Sequence, residues 1–402
     1  MSGERREVVV VGGGPAGAAL ACFLARRGHD VLVLEAARFP RDKVCGEGVS
    51  PEAWRLFDAM GAAERVRALA PHPLRGMRLV SPDGTAFRGE YRGRERPGLA
   101  VRRLALDAAL LDSAREAGAE VREGMRVTDL LREGASVAGV LVDSGGEPVV
   151  VRARVVVGAD GRRSVVARRL SLLHEHPTRR RFAVRGHWEG VEGLEEFGEM
   201  HVGGGGYCGV APLSPTLANV AFVLDRREIA AAARDLEGFY RRTLRTRWPR
   251  LGERLDRARL LESPRALGPL ALVCRAAAAP GAVLIGDAAG FYDPFTGEGV
   301  VLALRTAELA AEAVQAAVVS GAPGPLPTLA GYERARRAAT GAKFRFNRLL
   351  QVAVGSTAAA NAIARRLARR PDLADRLVGI AGDLVPARAA FGPGFLWELL
   401  TA

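Results

Sequence analysis

Residues 7–17 read EVVVVGGGPAG, and this stretch decides the fold. Its four valines predict a buried strand, because unbroken apolar runs are typical of parallel strands covered on both faces. After the glycines, apolar residues recur at helical spacing, and a second apolar run from Val31 to Leu34 closes at Glu35. This order predicts a βαβ unit of about 30 residues, the setting in which dinucleotides bind.

The glycines of this turn fill the pattern GxGxxG with Gly12, Gly14 and Gly17. The first permits a tight turn, the second lets the backbone approach a pyrophosphate, and the third allows close packing of helix on strand. Glu35 follows Gly14 by 21 positions, where an acid accepts hydrogen bonds from ribose hydroxyls. The pattern therefore predicts a dinucleotide with an unphosphorylated adenosine ribose; a purely structural glycine turn is the alternative.

Two later apolar strands are also followed by an acidic residue. Residues 155–170, VVVGADGRRSVVARRL, place Asp160 and Gly161 after one strand, and residues 283–304, VLIGDAAGFYDPFTGEGVVLAL, place Asp287 after another. The turn beyond Asp287 leads into a helix, whose N-terminus offers backbone N–H groups to a second anionic or electron-rich part of the ligand.

In this order and spacing, the three segments resemble a group of FAD-dependent enzymes over residues 7–320. The group comprises single-component aromatic hydroxylases, squalene-epoxidase-like enzymes, flavin halogenases and geranylgeranyl reductases. The resemblance implies that Glu35 binds the adenosine ribose, that Asp287 binds the ribityl chain, and that Arg103, in RxxLDxxL, contacts FAD. It further associates Asp160 with both FAD and nicotinamide nucleotide binding. The implied FAD-binding residues are Gly12, Gly14, Pro15, Ala16, Gly17, Glu35, Ala36, Arg103, Asp160, Gly161, Gly286, Asp287, Pro294, Gly297, Glu298 and Gly299.

The predicted fold class is α/β. A Rossmann-like, glutathione-reductase-type FAD-binding domain carries an inserted antiparallel β-sheet substrate domain and is followed by C-terminal helices. Residues 76–101 and 181–226 alternate apolar and polar positions between turns, which is typical of antiparallel strands exposed on one face. The predicted domains are 1–75, 102–180 and 269–320 for FAD, 76–101 and 181–268 for substrate, and 321–402 for the C-terminal helical region.

A fourth segment, FPRDKVCGEGVSPEAW at residues 39–54, resembles the KxCGxGxSP stretch of the geranylgeranyl reductase branch. There the loop lies along the flavin and faces the substrate cavity. Arg41, Lys43, Cys45 and Glu47 are therefore cavity candidates, and Tyr207 is another. No histidine neighbours Cys45 in sequence, so a nucleophilic thiolate is not supported.

The same branch has a YxWxFP cavity motif, which residues 206–212, GYCGVAP, match only in part. Tyr207 and Pro212 are kept, but Gly209 and Ala211 stand in place of two aromatic residues. Smaller residues open the cavity, because an aromatic side chain covers roughly 150–250 Å². Halogenation is disfavoured, since flavin halogenases need a lysine in the first insert and no lysine occurs between residues 44 and 342.

The composition, with 48% hydrophobic and 26% charged residues over 402, excludes a disordered or fibrous chain. The four cysteines lie far apart without metal-ligand spacing, so we predict no metal site. The N-terminal residues lead directly into the first predicted strand, so we expect no signal peptide, and no apolar run reaches membrane-spanning length. These observations predict a cytoplasmic protein, with peripheral membrane attachment as the alternative.

The net charge of +13 lies largely in residues 321–402, which contain 12 basic and 5 acidic residues. Segment 343–370 interleaves basic with apolar residues and predicts an amphipathic basic helix. Such a helix suits a membrane surface or a carrier protein; packing on the FAD domain with a solvated basic face is the other interpretation. Nucleic acid is not expected, because no recognised fold or stacking motif accompanies the charge.

The resemblance implies an NAD(P)H-reduced monooxygenase that acts on a hydrophobic, phenolic or polyketide-like molecule through a flavin hydroperoxide. The alternative is a flavoenzyme of the geranylgeranyl reductase type that saturates isoprenoid alkenes. A flavin halogenase and a non-catalytic flavin-binding protein are further alternatives. FAD is the expected bound cofactor, NAD(P)H the transient reductant and a hydrophobic small molecule the substrate. No side chain is identified as general acid or base, and the sequence predicts no oligomeric state.

Overall fold

The structure is a computed structural model that describes residues 4–143, 145, 148–176, 181–229, 232, 234–291, 293–320, 326–392, 394–395 and 397–398. Within these residues the strands are β1 (Glu4–Val11), β2 (Val31–Glu35), β3 (Gly48–Val49), β4 (His72–Leu74), β5 (Gly76–Val80), β6 (Ala86–Glu90), β7 (Gly98–Ala100), β8 (Glu120–Glu123), β9 (Arg126–Glu133), β10 (Ser136–Asp143), β11 (Val149–Gly158), β12 (Leu173–Glu175), β13 (Arg181–Glu189), β14 (Phe197–Gly203), β15 (Gly206–Pro212), β16 (Leu217–Asp225), β17 (Arg259–Leu260), β18 (Arg265–Leu267), β19 (Leu272–Cys274), β20 (Ala278–Ala279) and β21 (Ala282–Leu284). The helices are α1 (Pro15–Ala25), α2 (Glu52–Met60), α3 (Ala63–Ala68), α4 (Arg103–Glu116), α5 (Val165–Arg169), α6 (Arg226–Ile229), α7 (Leu236–Arg247), α8 (Pro249–Asp256), α9 (Gly299–Ser320), α10 (Leu326–Val354), α11 (Thr357–Arg369) and α12 (Pro371–Ala381).

The first sheet has the strand order β20-β21-β11-β1-β2-β8, and β9 and β10 join it through β11. The pairings from β21 to β8 are parallel, whereas β9, β10 and β20 are antiparallel additions. Val8, Val9 and Val10 of β1 are fully buried, since helices cover the central strands. The predicted α/β class and its βαβ unit are confirmed.

The parallel strands end in register at one edge of this sheet. Val11 lies opposite both Leu34 and Gly158, and Gly158 lies opposite Leu284. The segments that follow these strands therefore meet at the carboxyl edge, where open α/β sheets bind their ligands.

The second sheet has the order β17-β13-β16-β15-β14-β5-β6, with β18 also pairing with β13. Its pairings are antiparallel except that of β14 with β5, in which Phe197 lies opposite Gly76 in parallel. The expectation of purely antiparallel strands is wrong at this pairing. The reason is that the β5–β6 hairpin and the β13–β16 strands reach the sheet from separate parts of the chain. The domain boundaries given above stay predictions.

The C-terminal helices pack on β6 and on the turn before α9. The continuous basic helix predicted over 343–370 is wrong: α10 ends at Val354, and Ser356 caps α11 by accepting a hydrogen bond from Ala359 N at 3.3 Å. Phe346 is buried with residues of α11 and α12, so packing accounts for one face of α10.

The outer face of α10 exposes Leu349 and Val352, at 43% and 66%, beside exposed Arg345. Contact with a membrane or carrier protein through this face stays a prediction. Among the described residues, no helix is long and apolar enough to cross a bilayer, and no group of histidine, cysteine or acidic side chains could hold a metal ion.

Candidate functional site

The glycine turn after β1 is closed tightly against the end of β11. Gly12 has a φ of +101°, and a Cβ there would lie 2.6 Å from the carbonyl oxygen of Ala159. A Cβ on Gly17 would lie only 1.9 Å from the carbonyl oxygen of Gly12. Gly14 is the N-cap of α1 and Pro15 follows it, with no side-chain cap. The first N–H groups of α1 are therefore open to an anion.

Glu35 lies beside this turn, as the sequence predicts. It is 8% exposed; its Oε2 accepts a hydrogen bond from Gly13 N at 2.7 Å and its Oε1 accepts one from Ala37 N at 2.8 Å. Each carboxylate oxygen has a second lone pair. Glu35 can thus be held in place by the backbone and still accept from ribose hydroxyls.

A cleft of about 770 Å³ runs past these residues. Glu35, Ala36 and Gly12 line one part of it, and Lys43 and Asp160 line another. Five arginines line it: Arg41, Arg126, Arg163, Arg168 and Arg169. The cleft has the size and the positive charge that a dinucleotide requires.

Arg103 stands at the start of α4 and is bound to Asp107 one turn later. Arg103 Nε and Nη2 donate to the two oxygens of Asp107 at 2.7 and 2.8 Å, and Arg41 Nη1 donates to the same carboxylate at 2.8 Å. Burial alone would raise the pKa of Asp107, but the cations of Arg103, Arg41 and Lys43 hold that pKa below its usual range. Asp107 therefore fixes two guanidinium groups, that of Arg41, which lines the cleft, and that of Arg103.

Asp160 and Gly161 follow β11 as predicted. Asp160 Oδ2 accepts from Val165 N, the first N–H of α5, at 2.6 Å, and Gly161 has a φ of +73°. Asp160 Oδ1 is buried, and no described residue hydrogen-bonds to it. Burial raises the pKa of this carboxyl.

The third motif forms two short turns before α9. Asp287 is half-buried after β21, and a Cβ on Gly286 would lie 2.9 Å from Ala16 Cβ. Pro294 begins the second turn, which ends at Gly297 with a φ of +71°, and Gly299 begins α9. These residues face the N-terminus of α1 across the carboxyl edge of the sheet.

Glu298 lies in the same turn, but its carboxylate is turned to Lys343 of α10, with which it forms an ion pair. Lys343 Nζ also donates to the carbonyl oxygens of Ile380 at 2.6 Å and Ala381 at 2.9 Å. Glu298 thus ties this turn to the C-terminal helices.

An apolar cavity of about 220 Å³ adjoins the cleft, and Gly14, Lys43 and Ala159 line both. The 43–50 loop forms one wall of this cavity, the second sheet another, and the residues around Phe291 and Phe295 a third. Gly209 and Ala211 line it, as expected from the reduced motif.

The cavity candidates of the sequence fall in two places. Lys43, Cys45, Glu47 and Tyr207 line the apolar cavity, whereas Arg41 lines the cleft and binds Asp107. Burial lowers the pKa of the Lys43 ammonium, and the nearby Arg103 guanidinium lowers it further.

Tyr207 is held by an acidic residue of the flavin-side turn. Its hydroxyl donates to Asp293 Oδ1 at 2.5 Å, and burial next to this carboxyl raises the pKa of Tyr207 well above its usual value. Gln351 Nε2 donates to the same oxygen at 2.8 Å. Tyr207 therefore presents its ring, rather than a free hydroxyl, to the cavity.

Comparison with known proteins matches residues 5–346 to the family described as FAD binding domain. The chain belongs to this family. It is 34% identical over 355 residues to menaquinone reductase of Mycolicibacterium smegmatis, covering 83% of this chain and 84% of that protein. It is 31% identical over 356 residues to digeranylgeranylglycerophospholipid reductase of Methanothrix thermoacetophila, covering 84% of each. The protein is an FAD-dependent oxidoreductase.

Solved structures share its fold. The flavin-dependent brominase Bmp2, as a triple mutant, aligns with a TM-score of 0.83 at 22% identity over 96% of this chain and 97% of that one. A geranylgeranyl bacteriochlorophyll reductase-like protein of Thermoplasma acidophilum aligns with a TM-score of 0.77 at 23% identity, covering 99% and 96%. The FAD-binding fold with its second sheet and C-terminal helices is confirmed.

The flavoprotein's own residues fit FAD. The turn at Gly12 and Gly17 has no room for side chains, the N-terminus of α1 is uncapped, and Asp160 Oδ1 lacks a partner among the described residues. Glu35 would hold the adenosine ribose, the α1 N-terminus the pyrophosphate, and Asp287 with the Gly297–Gly299 turn the flavin end.

Three residues next to the site escaped sequence reasoning: His187, Asn219 and Asp293. Asn219 Nδ2 donates to Glu47 Oε2 at 2.8 Å, and His187 Nε2 lies 2.7 Å from the same oxygen. Their partners among the predicted cavity residues, Glu47 and Tyr207, lie 86 to 172 positions away in sequence. For Asp293 alone a signal existed, since it directly precedes Pro294 of the third motif.

Replacing Glu35 tests the adenosine end of the cleft in this flavoprotein. We expect Glu35→Ala to weaken FAD binding about 10-fold to 100-fold, because hydrogen bonds to a charged group contribute about 1.5–3 kcal/mol. Fluorescence titration of the FAD-free protein measures the dissociation constant. Glu64→Ala, on an exposed site of α3, is the control; equal affinities in the two variants would contradict the assignment.

Proposed function

We propose that this flavoenzyme reduces isolated carbon–carbon double bonds in a long apolar isoprenoid substrate. The observation that carries the proposal is the apolar cavity that continues the FAD cleft along the 43–50 loop. An isoprenoid chain has methyl-branched apolar surface throughout, and its burial contributes about 0.8 kcal/mol per CH₂. Such a substrate would lie with one alkene beside the flavin end of the cleft.

The relatives support a reductase over a monooxygenase. One is named a menaquinone reductase, and the other is named for a lipid whose reducible groups are the alkenes of its geranylgeranyl chains. Hydroxylation of a phenolic or polyketide-like substrate stays a prediction without an observation of its own. NAD(P)H remains our proposal for the reductant.

Reduction of one alkene adds two electrons and two protons. Bound FAD would supply the two electrons, which it receives from a reductant that we propose to be NAD(P)H. The protein's residues would exclude water and hold the isoprenoid chain of the substrate. Tyr207, Met200 and Phe295 pack together around the cavity. The polar side chains with which the 43–50 loop lines the cavity are Lys43, Cys45, Glu47 and Ser50.

The decisive experiment is anaerobic turnover with two substrates, a menaquinone and a geranylgeranyl lipid. We expect a mass gain of two hydrogens per reduced alkene that persists after exposure to air. Reduction of the quinone ring alone would revert in air, and an oxygenated product formed only with O₂ would favour the monooxygenase. Either result would overturn the proposal.

Filling the cavity tests where the isoprenoid chain of the substrate lies. A Cβ on Gly209 would meet nothing closer than 3.7 Å, so Gly209→Ala should keep full activity. We expect Gly209→Trp to lower kcat/KM about 10-fold to 100-fold, because the indole displaces buried CH₂ groups of the chain. FAD content should stay unchanged in both variants. Equal turnover by the two variants would show that the isoprenoid chain does not lie beside Gly209.

A further inference from the structure

A chain of titratable groups connects the apolar cavity to the protein surface. His187 Nε2 lies 2.7 Å from Glu47 Oε2, and its Nδ1 makes a close contact with Glu262 Oε1. The side chains of His187 and Glu47 are fully buried, whereas that of Glu262 is 33% exposed. One imidazole ring therefore joins a carboxyl of the cavity wall to a carboxyl that meets water.

The inner end of this chain is fixed in the cavity wall. Glu47 Oε1 accepts from Arg103 N at 2.8 Å, and Oε2 accepts from Asn219 Nδ2 at 2.8 Å. Asn219 Nδ2 also lies 2.9 Å from the carbonyl oxygen of Cys45. Glu47 has a φ of 61°, which a residue with a Cβ seldom adopts. Such backbone strain persists where surrounding contacts hold it and is common at functional sites.

The outer end is clamped by cations. Arg185, which is fully buried, places Nη1 at 2.8 Å from His187 Nδ1 and at 2.9 Å from Glu262 Oε1. The other charged groups around it are Arg102, at 3.4 Å from His187 Nδ1, Asp42, which binds Arg185 Nη2 at 2.6 Å, and Arg265, at 3.3 Å from Asp42. Glu262 and the imidazole are thus held in line without closing the route to water.

We propose that Glu262, His187 and Glu47 form a proton relay that carries solvent protons to the substrate cavity. The proposal rests on the proposed function, in which each reduced alkene consumes protons. His187 passes its Nε2 proton to Glu47 Oε2, and Glu47 gives a proton to the cavity. His187 Nδ1 takes a proton from Glu262, and Glu262 takes one from water. Glu262 and Glu47 then return to their starting states, whereas His187 is left as the Nδ1–H tautomer, and its ring has to reorient to return an N–H to the Glu47 side before the next proton.

The charge state of Glu47 agrees with this route. Burial by itself raises the pKa of Glu47, but hydrogen bonds from His187, Asn219 and Arg103 N bring that pKa below its usual value. Glu47 therefore rests as a carboxylate that accepts the imidazole proton. When it carries that proton it is a stronger acid than an ordinary carboxyl.

Kinetics of the holoenzyme test the relay. We expect His187→Gln to slow reoxidation of the reduced enzyme by alkene about 100-fold, the usual size of general acid catalysis. KM and the rate of FAD reduction by dithionite should not change. Glu262→Gln should slow the same step, and imidazole in the buffer should restore it. Glu192→Gln, at an exposed carboxyl three residues after the end of β13, is the control.

A purely structural role predicts another result. In that case the variants would lose FAD, change KM or lower the melting temperature without altering the pH profile, and buffer imidazole would restore nothing. If His187→Gln fails to fold, Glu262→Gln decides, because its side chain is partly exposed. A Glu262→Gln rate that equals the control rate, or does not respond to imidazole, overturns the relay.

Infrared spectroscopy separates this proposal from the proposed function. The signal that disappears in Glu47→Gln identifies the Glu47 carboxyl in the oxidised holoenzyme. In His187→Gln, that carboxyl should become protonated at a higher pH than in the wild type, because a hydrogen bond that lowers its pKa is lost. If it titrates identically in both, His187 shares no proton with Glu47 and the relay fails, whether or not alkenes are reduced. If the relay signals appear but no alkene is reduced, only the proposed function fails.

Discussion

Gly17→Ala yields a folded protein that no longer holds FAD. The new Cβ would lie 1.9 Å from the carbonyl oxygen of Gly12, a backbone atom that cannot swing aside like a side chain. Either α1 moves away from β1 or the Gly12 turn opens. Overpacking of this kind typically costs about 1–3 kcal/mol, and both adjustments displace the N–H groups that face the pyrophosphate. We expect affinity to fall at least about 100-fold, so that the purified protein is colourless.

The matched control is Gly341→Ala in α10. Gly341 is also helical, but a Cβ there would meet no atom within 4 Å. Alanine should therefore stabilise the helix by up to about 1 kcal/mol and leave FAD binding unchanged. Released FAD, measured by absorbance per chain, compares the two proteins. If Gly17→Ala retains as much FAD as Gly341→Ala, close packing at Gly17 does not shape the turn.

The FAD cleft was predictable because each of its determinants is local. Glu35, Asp160 and Asp287 each come at or just after the end of an apolar strand, and the strands end at one edge of the sheet. Hydrophobic runs and glycine positions are short-range signals, so the sequence alone predicts both the strands and the polar residues at their ends. The position of the Glu298 side chain was not predictable in this way, because its ion pair with Lys343 depends on how α10 packs.

The polar environment of the substrate cavity was not predictable in this way. Glu47 and His187 are 140 positions apart, and only the packing of the 43–50 loop on β13 and β16 brings them together. A lone histidine in an alternating strand has no spacing that indicates a carboxyl partner. The parallel pairing of β14 with β5 is likewise a tertiary contact, which alternation within each strand does not specify.

Asp107→Asn should destabilise the protein by about 3–5 kcal/mol, the usual effect of removing one partner from a buried ion pair. Asp107 is fully buried and accepts hydrogen bonds from both Arg103 and Arg41. Asparagine keeps the shape but leaves two guanidinium groups without a counter-charge. Urea unfolding of the FAD-free protein measures the loss. Saturating FAD should recover part of it, because the dinucleotide binds only the folded state and brings negative charge to the cleft.

Asp112→Asn is the control on the same helix. Asp112 is 45% exposed and pairs with Arg115 one turn away, and exposed pairs of this kind contribute about 0–1 kcal/mol. The two substitutions make the same chemical change, so their difference isolates burial. Equal losses of stability in Asp107→Asn and Asp112→Asn would show that the Asp107 ion pairs do not anchor α4 at the cleft.

The pH dependence of the Asp107 effect has a definite sign. Despite burial, Arg103, Arg41 and Lys43 hold the pKa of Asp107 below its usual range, whereas in the unfolded chain it should be about 3.9. A carboxyl whose pKa is lowered by folding contributes its full stability above the unfolded pKa and loses it as pH falls through the folded pKa. The stability difference between wild type and Asp107→Asn should therefore be constant above about pH 5 and shrink below about pH 4. A difference that grows on acidification would mean that Asp107 is protonated in the folded protein and that its contacts with Arg103 and Arg41 are not ionic.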